Sequence, residues 1–410
     1  MSKSFLPVRG TKDFLPSEME VREKIREVIL KTYQKYGFNQ IKTPIIEDID
    51  LLLGSDGGDN LKLIYKILKR GEKLNLETDN IDDLVDLGLR YDLTVPLARF
   101  YINNKEKLLP IFKSIQIDDV FRAERPQRGR SRQFTQCDID IINDESVNSE
   151  IEIIYVAGQT LLNLGFKDFT FKISDRRLLN EILANIGFDR DSFADICISV
   201  DKLDKIGLEG VKTELIKKEY DNDKVTKLIG DLTNIKTKGI NGLKELKLND
   251  NVISEVETIV NNSNDLANGK YQVEFDINII RGQGYYTASV FEVYLSGFDG
   301  ASGGGGRYND MIEKLNGFNV PAVGFSFGFE RLFIIISENN LLMEKKEKLA
   351  LIYEADDFSE VVKLMEEYSA QFNVTTIKRR KNFGYQLTNL KENGYTKYVL
   401  FKEKIIENLG

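Results

Sequence analysis

The sequence of 410 residues contains no histidine. This absence excludes catalysis by Ser-His-Asp or Cys-His groups, zinc sites with histidine ligands and general bases of the imidazole type. Any chemistry must therefore depend on arginines, carboxylates and bound metal. A biased composition can produce this absence by chance, but the absence also fits a protein that must be made when histidine is scarce.

Cysteines and long apolar runs are also scarce. Cys137 and Cys197 are too few for a disulfide framework or a cysteine-based zinc site, so both are expected to be small buried side chains. The longest apolar runs, such as 332–336, are too short to span a membrane, and residues 1–7 lack the apolar region of a signal peptide. We therefore expect a cytoplasmic protein that has no membrane association.

Charge and length restrict the class of protein further. The net charge of −8 argues against a surface that binds nucleic acid everywhere, although a local basic patch can still bind it. The length suggests two or three domains, and 41% apolar residues are enough to form buried cores.

The order of strand and helix signals predicts an α+β protein with an inserted domain. Residues 1–175 and 270–340 are expected to form the two parts of one core with an antiparallel sheet. Residues 176–269 have amphipathic helical runs and no strong strand signal, which indicates a helical insertion. Residues 349–410 alternate strand and helix signals, which is typical of a small α/β domain with a largely parallel sheet.

Two local signals lie near the N-terminus. Ser17-Glu-Met-Glu20 resembles a capping box, and Gly37 stands where a glycine would end the helix that follows. The pattern of residues 41–47 predicts a short strand around Pro44, and a proline in a strand favours a position at a sheet edge or at an interface. This segment is therefore a candidate dimer interface.

The most informative segment is 121–140. It has five arginines between positions 122 and 132 and then alternates with a period of two, as a strand does. One face of this strand would carry Arg132, Phe134, Gln136, Asp138 and Asp140, while Cys137, Ile139 and Ile141 would enter a core. The pattern predicts a polyanion site next to a polar pocket.

Three further signals fit a phosphate ligand. Arg122, Arg281 and Arg331 recur in strand contexts, and guanidinium groups bind pairs of phosphate oxygens, although an isolated arginine is more often a surface residue. The run Gly303 to Gly306 lacks the ending of a phosphate-binding loop. It indicates close approach of the backbone to a ligand or to a neighbouring strand.

Together these segments resemble the class II aminoacyl-tRNA synthetases, in particular the histidyl subgroup. The N-terminal Arg9-Gly-Thr-Lys-Asp-Phe-Leu-Pro16 resembles a signature of that subgroup, the segment around Pro44 resembles motif 1, and residues 121–140 resemble motif 2. The two histidine-specific motifs and motif 3 are matched by Arg281-Gly-Gln-Gly-Tyr-Tyr, Gly305-Gly-Arg-Tyr308 and Gly328-Phe-Glu-Arg331.

The resemblance implies an enzyme that activates histidine with ATP and Mg²⁺ and transfers it to the 3′ end of the tRNA for histidine. Arg122 and Arg281 would flank the α-phosphate, and Arg331 would bind the γ-phosphate. Glu124, Arg130 and Phe134 would complete the ATP site, and no protein side chain is assigned as a metal ligand. The reaction requires no protein nucleophile, so a chain without histidine can support it.

The resemblance also assigns residues to the other substrates and to the partner subunit. The histidine-binding residues would be Asp92, Thr94, Gln136, Asp140, Arg281, Tyr285 and Tyr286. Gln127 and Arg128 would approach the acceptor end of tRNA. The region near Pro44 would form a homodimer interface, and residues 349–410 would form an α/β domain like the family's anticodon-binding domain but shorter.

Some positions depart from the family pattern, and other functions remain open. Gln283, Gly284 and Asn309 replace the usual Leu, Asp and Asp, and Ala288 stands where glycine is common. The main alternative is a histidine-sensing regulatory subunit of ATP phosphoribosyltransferase, which resembles the ligase but tends to lose its basic residues. A general RNA-binding protein is a third hypothesis, and the acidic net charge argues against it. The retained arginines favour the ligase.

Overall fold

The computed structural model describes residues 5–54, 58–74, 76–279, 285–342, 346–354 and 358–409. The chain forms two compact units, one containing residues 24–341 with the N-terminal residues up to Asp13, and one containing residues 14–23 with those from Leu342 onward. None of the helices in these described ranges is long and apolar enough to cross a membrane.

The α-helices are, in chain order, α1 Pro16–Lys35, α2 Ile49–Leu53, α3 Thr94–Asn104, α4 Asn148–Asn163, α5 Arg176–Ile186, α6 Phe193–Val200, α7 Leu203–Lys217, α8 Asn222–Lys238, α9 Ile240–Glu245, α10 Asp250–Ala267, α11 Asp310–Asn316, α12 Phe329–Asn339, α13 Phe358–Ser369 and α14 Phe383–Glu392. The strands are β1 Asn39–Gln40, β2 Ile46–Asp48, β3 Lys66–Leu68, β4 Val85–Leu89, β5 Phe112–Phe121, β6 Gln133–Ile142, β7 Phe169–Asp175, β8 Gln272–Phe275, β9 Ser289–Leu295, β10 Gly303–Arg307, β11 Ala322–Gly328, β12 Lys348–Tyr353, β13 Asn373–Lys378, β14 Lys397–Leu400 and β15 Ile406–Asn408.

An eight-stranded sheet forms the centre of the first unit. Its order is β1-β5-β6-β11-β10-β9-β7-β8, and its pairs from β5 to β7 are antiparallel. Only the outermost pairs, β1 with β5 and β7 with β8, are parallel. The sheet combines strands from before and after the long helical segment, so the predicted fold class is confirmed.

The helices α5 to α10 occupy the chain between β7 and β8, within the segment predicted as an insertion. The carboxylate of Asp175 caps α5 by accepting a hydrogen bond from the backbone N–H of Arg177. Asn268 ends α10 in the left-handed conformation. These two caps fix the residue at which the chain leaves the sheet after β7 and the residue at which the last helix ends before β8.

Two N-terminal predictions need correction. The helix α1 ends before Gly37 as predicted, with Gly37 at φ +84°, but it starts at Pro16 and uses no capping box at Ser17. Instead, the carboxylate of Glu18 accepts a hydrogen bond from the backbone N–H of Leu15, at 2.8 Å. A proline at the first helical position explains this earlier start, because its missing N–H would have had no helical partner.

The strand predicted at 41–47 is also displaced, since β2 covers only Ile46–Asp48. The buried Arg90 side chain binds the backbone just before β2. Its guanidinium donates hydrogen bonds to the carbonyl oxygens of Thr43 and Pro44, at 2.9 and 3.3 Å. These carbonyls therefore have a side-chain donor instead of a strand partner. The strand β2 joins β4 and β3 in a small antiparallel sheet.

The second unit contains a four-stranded sheet in the order β13-β12-β14-β15. The strand β12 is parallel to both β13 and β14, which confirms the predicted α/β character. Apolar clusters cover both faces, one around Leu349 and Leu351 and the other around Ala350 and Ile352. The antiparallel edge strand β15 was missed, because its three residues are exposed and carry no apolar pattern.

Candidate active site

A cavity of about 1010 Å³ lies against the inner strands of the eight-stranded sheet. Its wall includes the residues predicted for a nucleotide, Arg122, Glu124, Arg130, Phe134 and Arg331. It also includes five residues predicted for an amino acid, Thr94, Gln136, Asp140, Tyr285 and Tyr286. The fold therefore brings two groups of candidate residues, which are far apart in the sequence, to one cavity.

The strand β6 supplies the floor of this cavity. Phe134, Gln136, Asp138 and Asp140 line it. The alternate residues Cys137, Ile139 and Ile141 are fully buried in the core, so the predicted two-faced strand is confirmed. Arg132 is an exception, because β6 begins only at Gln133 and the Arg132 guanidinium instead donates to the carbonyl oxygens of Glu124 and Arg9, at 3.1 and 3.2 Å.

Glycines in β10 and β11 make room for these side chains. In register, Asp140 lies opposite Gly324, and Gly324 lies opposite Gly306. A Cβ atom on Gly324 would lie 2.0 Å from Oδ1 of Asp140, and one on Gly305 would lie 1.9 Å from the carbonyl oxygen of Gly324. The glycine run thus allows both the close approach of strands and the inward position of Asp140.

Three buried oxygens beside the cavity have no hydrogen-bond partner among the described residues: Oδ2 of Asp92, Oε1 of Gln136 and Oδ2 of Asp140. We refer to these three atoms as the acceptor cluster. Buried polar atoms without partners are costly, at about 1–3 kcal/mol each. A ligand that brings several N–H donors would remove this cost.

Burial strongly affects the pKa values of Asp138 and Asp140 on the floor and of Asp92 near them. It raises the pKa of Asp92 to about 6, although hydrogen bonds from the backbone N–H groups of Val95 and Thr94 and the charge of Arg122 oppose this rise. Burial likewise raises the pKa of Asp140 to about 7, against the effect of the Tyr308 hydroxyl. The pKa of Asp138 is raised well above its ordinary value by burial and then by the charge of Asp140.

Tyrosines support the acceptor cluster. The Tyr308 hydroxyl donates a hydrogen bond of 2.6 Å to Oδ1 of Asp140, which leaves Oδ2 as the unpartnered atom. Tyr285 forms a side-chain hydrogen bond with Thr94, and its ring centroid lies 4.9 Å from that of Tyr286. The role of Tyr308 was not predicted, although it lies in the Gly305–Tyr308 motif.

Arg122 is held among the cavity residues that were predicted to bind a nucleotide. Its Nε donates to the carbonyl oxygen of Tyr91 at 2.9 Å, and its Nη1 lies 3.9 Å from Oε1 of Glu124. Its guanidinium carbon is 5.1 Å from the ring centroid of Phe134. Arg331, in the first turn of α12, lies with its guanidinium carbon 5.7 Å from the ring centroid of Phe298.

Gln127 and Arg128 lie in the turn between β5 and β6 and are exposed, outside the cavity wall. Backbone hydrogen bonds between Gln127 and Arg130 close this turn, with Gly129 at φ +73°. Arg128 forms an exposed ion pair of 2.5 Å with Glu338 of α12.

The model of the family described as Histidyl-tRNA synthetase matches residues 10–332. The chain belongs to this family. It is 42% identical over 352 residues to the histidine–tRNA ligase of Leifsonia xyli subsp. xyli (strain CTCB07), a match that covers 82% of this chain and 81% of that relative.

Solved structures agree with this family assignment. The histidyl-tRNA synthetase from Nostoc sp. PCC 7120 is 25% identical with a TM-score of 0.77, over 97% of this chain and 91% of that one. A protein from Bacillus halodurans C titled ATP phosphoribosyltransferase regulatory subunit/histidyl-tRNA synthetase has the same TM-score of 0.77 at 18% identity, over 98% of this chain and 99% of that one. At this lower identity the likeness shows the fold alone.

Three positions singled out in the sequence, Arg281 and the departures Gln283 and Gly284, fall outside the described residues. The departure at Asn309 lies within the described residues. Its Oδ1 accepts a hydrogen bond of 3.2 Å from the backbone N–H of Ala322, and its own N–H donates to Oγ1 of Thr287 at 3.2 Å. Asn309 thus fixes the end of β10 against the start of β11.

Within the described ranges, no group of three or more Cys, Asp or Glu side chains is arranged to hold a metal ion.

Proposed function

We propose that this protein is a histidine–tRNA ligase that forms histidyl-adenylate from histidine and ATP and transfers the histidyl group to the 3′ end of tRNA. The observation that carries the assignment is the acceptor cluster: its Gln136 and Asp140 line the same cavity as Arg122, Arg130 and Arg331, and its third member, Asp92, is buried outside the wall. The family membership and the ligase named among its relatives support the same activity.

The acceptor cluster suits the donor-rich substrate histidine. The α-ammonium group has three N–H donors and a positive charge, which match Oδ2 of Asp92 and Oε1 of Gln136. The carboxylate of Asp140 would accept from an imidazole N–H, with Tyr286 beside it. Amino acids without a ring donor would leave Oδ2 of Asp140 without a hydrogen-bond partner, and this penalty gives selectivity.

In the first half-reaction the histidine carboxylate attacks the α-phosphorus of ATP. A bond from a carboxylate oxygen to this phosphorus forms, the bond to the bridging oxygen breaks, and pyrophosphate leaves. Arg122 would offset charge at the α-phosphate from one side and Arg281 from the other, while Arg331 would hold the γ-phosphate. Glu124, Arg130 and Phe134 would bind the rest of ATP, and Mg²⁺ would supply further charge compensation.

In the second half-reaction a ribose hydroxyl at the 3′ end of tRNA attacks the carbonyl carbon of the adenylate, and AMP leaves. Gln127 and Arg128 would approach the acceptor end from the exposed turn between β5 and β6. The exposure of this turn and its basic residue support that role.

The assembly that we propose is a homodimer through the region near Pro44. Ile45, Ile46, Leu68 and Leu87 are exposed apolar residues on and beside the small sheet of β2, β3 and β4. Such a patch is typical of an interface between subunits. Sedimentation velocity of the intact chain tests the proposal, which a monomer throughout the micromolar range would contradict.

The assay that decides the function is histidine-dependent exchange of pyrophosphate into ATP, followed by charging of tRNA for histidine. Exchange together with charging supports the ligase. Histidine binding without exchange would favour the alternative, a histidine-sensing regulatory subunit. The three arginines on the cavity wall favour exchange, because a sensor has no need to stabilise charge on ATP phosphates.

The mechanism also predicts the effect of Arg281→Ala. This substitution should reduce exchange to background and leave histidine binding within about threefold, because the α-phosphate loses a cation that stabilises its transition state. Calorimetry gives the histidine affinity, and exchange gives the rate. Normal exchange in this variant would contradict the assigned role.

A further inference from the structure

The side-chain amide of Gln136 is held in one orientation. Its Nε2 donates to Oγ of Ser326 at 3.2 Å and lies 3.5 Å from Oδ1 of Asp138, while its Oε1 is the unpartnered atom of the acceptor cluster. An amide has a donor end and an acceptor end that are nearly equal in shape. The neighbours of the amide therefore decide which end a ligand meets.

Asp138 and Ser326 are suited to bind the donor end. They are register partners on β6 and β11, and Asp138 is only 3% exposed. The Ser326 hydroxyl itself donates to the carbonyl oxygen of Phe327 at 3.4 Å. With the serine proton directed at this carbonyl, a lone pair on Oγ of Ser326 is left to accept from Gln136.

We propose that Asp138 and Ser326 are positioning residues that hold the Gln136 amide so that Oε1 accepts from the α-ammonium group of histidine. The inference rests on the proposed function, since it concerns binding of the same substrate. In the reversed orientation the Nε2 hydrogens would face the ammonium group, and two donors would oppose each other. Asp138 and Ser326 thus contribute to recognition of an ammonium group without contacting it.

The reason for an aspartate at position 138 follows from its chemistry. Oδ1 of a carboxyl group accepts a hydrogen bond whether the group is ionised or carries its proton on Oδ2. An asparagine there could present its own N–H groups to Gln136 and stabilise the reversed amide. Asp138→Asn therefore preserves the volume of the side chain and removes the preference for one orientation.

The test compares two ligands on four variants. Histidine carries the α-ammonium group, and 3-(imidazol-4-yl)propanoic acid is the same molecule without it. Calorimetry on the full chain should show that Asp138→Asn and Ser326→Ala each weaken histidine binding about tenfold to a hundredfold, as expected for a hydrogen bond to a charged group. Binding of the desamino analogue should stay within about twofold.

Two controls separate orientation from charge and from packing. Ser326→Thr keeps the hydroxyl and should restore the preference for histidine over the analogue, whereas Ser326→Ala changes no charge and should remove it. Cys137→Ala perturbs the same strand on its core face and should leave the preference unchanged. In pyrophosphate exchange, Asp138→Asn and Ser326→Ala should raise KM for histidine more than they lower kcat, with KM for ATP unaltered.

Each outcome has one meaning. An equal loss for both ligands in Ser326→Ala, or a preference that changes in Asp138→Asn but not in Ser326→Ala, would overturn the orientation mechanism. Wild-type protein that does not bind histidine, or that binds it no better than the desamino analogue, would instead remove the proposed function. Selective loss in both variants, with rescue by threonine, supports the inference.

Discussion

At the scale of single residues, the Asp140 carboxylate has opposite effects on two quantities: it would favour histidine binding, but its burial lowers the stability of the free protein. Its carboxyl is buried with Oδ2 unpartnered, and burial raises its pKa to about 7. An unfolded carboxyl ionises at much lower pH, so between that range and about pH 7 the folded state holds the extra proton. Stability due to Asp140 is therefore full at acid pH and falls as the pH rises through this window.

We therefore expect Asp140→Asn to stabilise the free protein at pH 8, by about 1–4 kcal/mol, because the variant buries no charge. The gain should be small near pH 4 and disappear near pH 3, about one unit below the ordinary aspartate pKa of about 3.9, where the aspartate is largely protonated in both states. Urea unfolding at these pH values measures it, and calorimetry should show histidine binding weakened about a hundredfold or more.

The matched control is Asp79→Asn, which changes an exposed aspartate and should give no such pH-dependent gain. A destabilised Asp140→Asn protein at pH 8 would show that Asp140 is better solvated than its burial implies.

A second prediction at this scale concerns Gly324. An added Cβ would lie 2.0 Å from Oδ1 of Asp140, and Gly324 is fixed by pairing on both sides. Gly324→Ala should displace the Asp140 carboxylate, at a cost of about 1–3 kcal/mol in unfolding free energy. It should also raise KM for histidine at least about tenfold, because a carboxylate hydrogen bond to the substrate is lost. Exchange kinetics and denaturation measure the two effects.

Gly230→Ala provides the control for this change. Gly230 lies in helix α8, and a Cβ there would meet no atom within 4 Å. This control should be neutral or slightly stabilising, by up to about 1 kcal/mol, with unchanged kinetics. Equal KM values for histidine in Gly324→Ala and the wild type would mean that β6 and β11 separate without affecting the site.

At the scale of elements, a buried ion pair fastens helix α4 to strand β10. The Arg307 guanidinium donates two hydrogen bonds of 2.6 Å to Glu150, and it also binds the carbonyl oxygens of Asp144 and Ser146. Glu150 additionally accepts from Ser289 at 2.7 Å. Removal of one partner leaves an uncompensated buried charge, so Glu150→Gln should destabilise the protein by about 3–5 kcal/mol.

A double variant tests this explanation. Glu150→Leu with Arg307→Met should recover much of the stability lost in Glu150→Gln, because the double variant no longer buries the Arg307 charge without a partner. Guanidinium chloride would screen the pair, so urea denaturation of the single and double variants is the appropriate measurement. Additive losses in the double variant would mean that the carbonyl contacts of Arg307 contribute more than the ion pair.

The elements also show what the sequence can predict. The alternation in residues 133–142 identified β6 and both of its faces, because a strand has a period of two wherever it lies. The start of α1 was misplaced by one residue, although Pro16 and Glu18 are local signals for it. The displaced β2 and the edge strand β15 were missed because they depend on Arg90 and β14, which no local pattern connects to them. The sequence identified Asp92, Gln136 and Asp140 as ligand-binding candidates. It could not show which of their oxygens lack a hydrogen-bond partner, because that depends on the tertiary structure. The roles of Asp138 and Ser326 require the register between β6 and β11.

At the scale of the whole molecule, the absence of histidine is compatible with the proposed chemistry. The described cavity wall contains carboxylates, arginines, tyrosines and glycines, which in the proposed mechanism would position the substrates and offset phosphate charge. No step of adenylate formation requires an imidazole of the protein. The chain can therefore omit the amino acid that it is proposed to activate.

This omission predicts that synthesis of the chain continues when charged tRNA for histidine is depleted. Its 410 codons call for no histidine, so ribosomes should not pause on this message during histidine limitation.

The comparison is with a variant that has histidine at the exposed helical positions Lys217, Lys236 and Asn251. In a histidine auxotroph, pulse labelling after histidine withdrawal should show continued synthesis of the unaltered chain and a severalfold drop for the variant, with equal synthesis of both in histidine-rich medium. An equal decline of both proteins on withdrawal would mean that general shutdown of translation controls their production, and the composition would then give this chain no advantage.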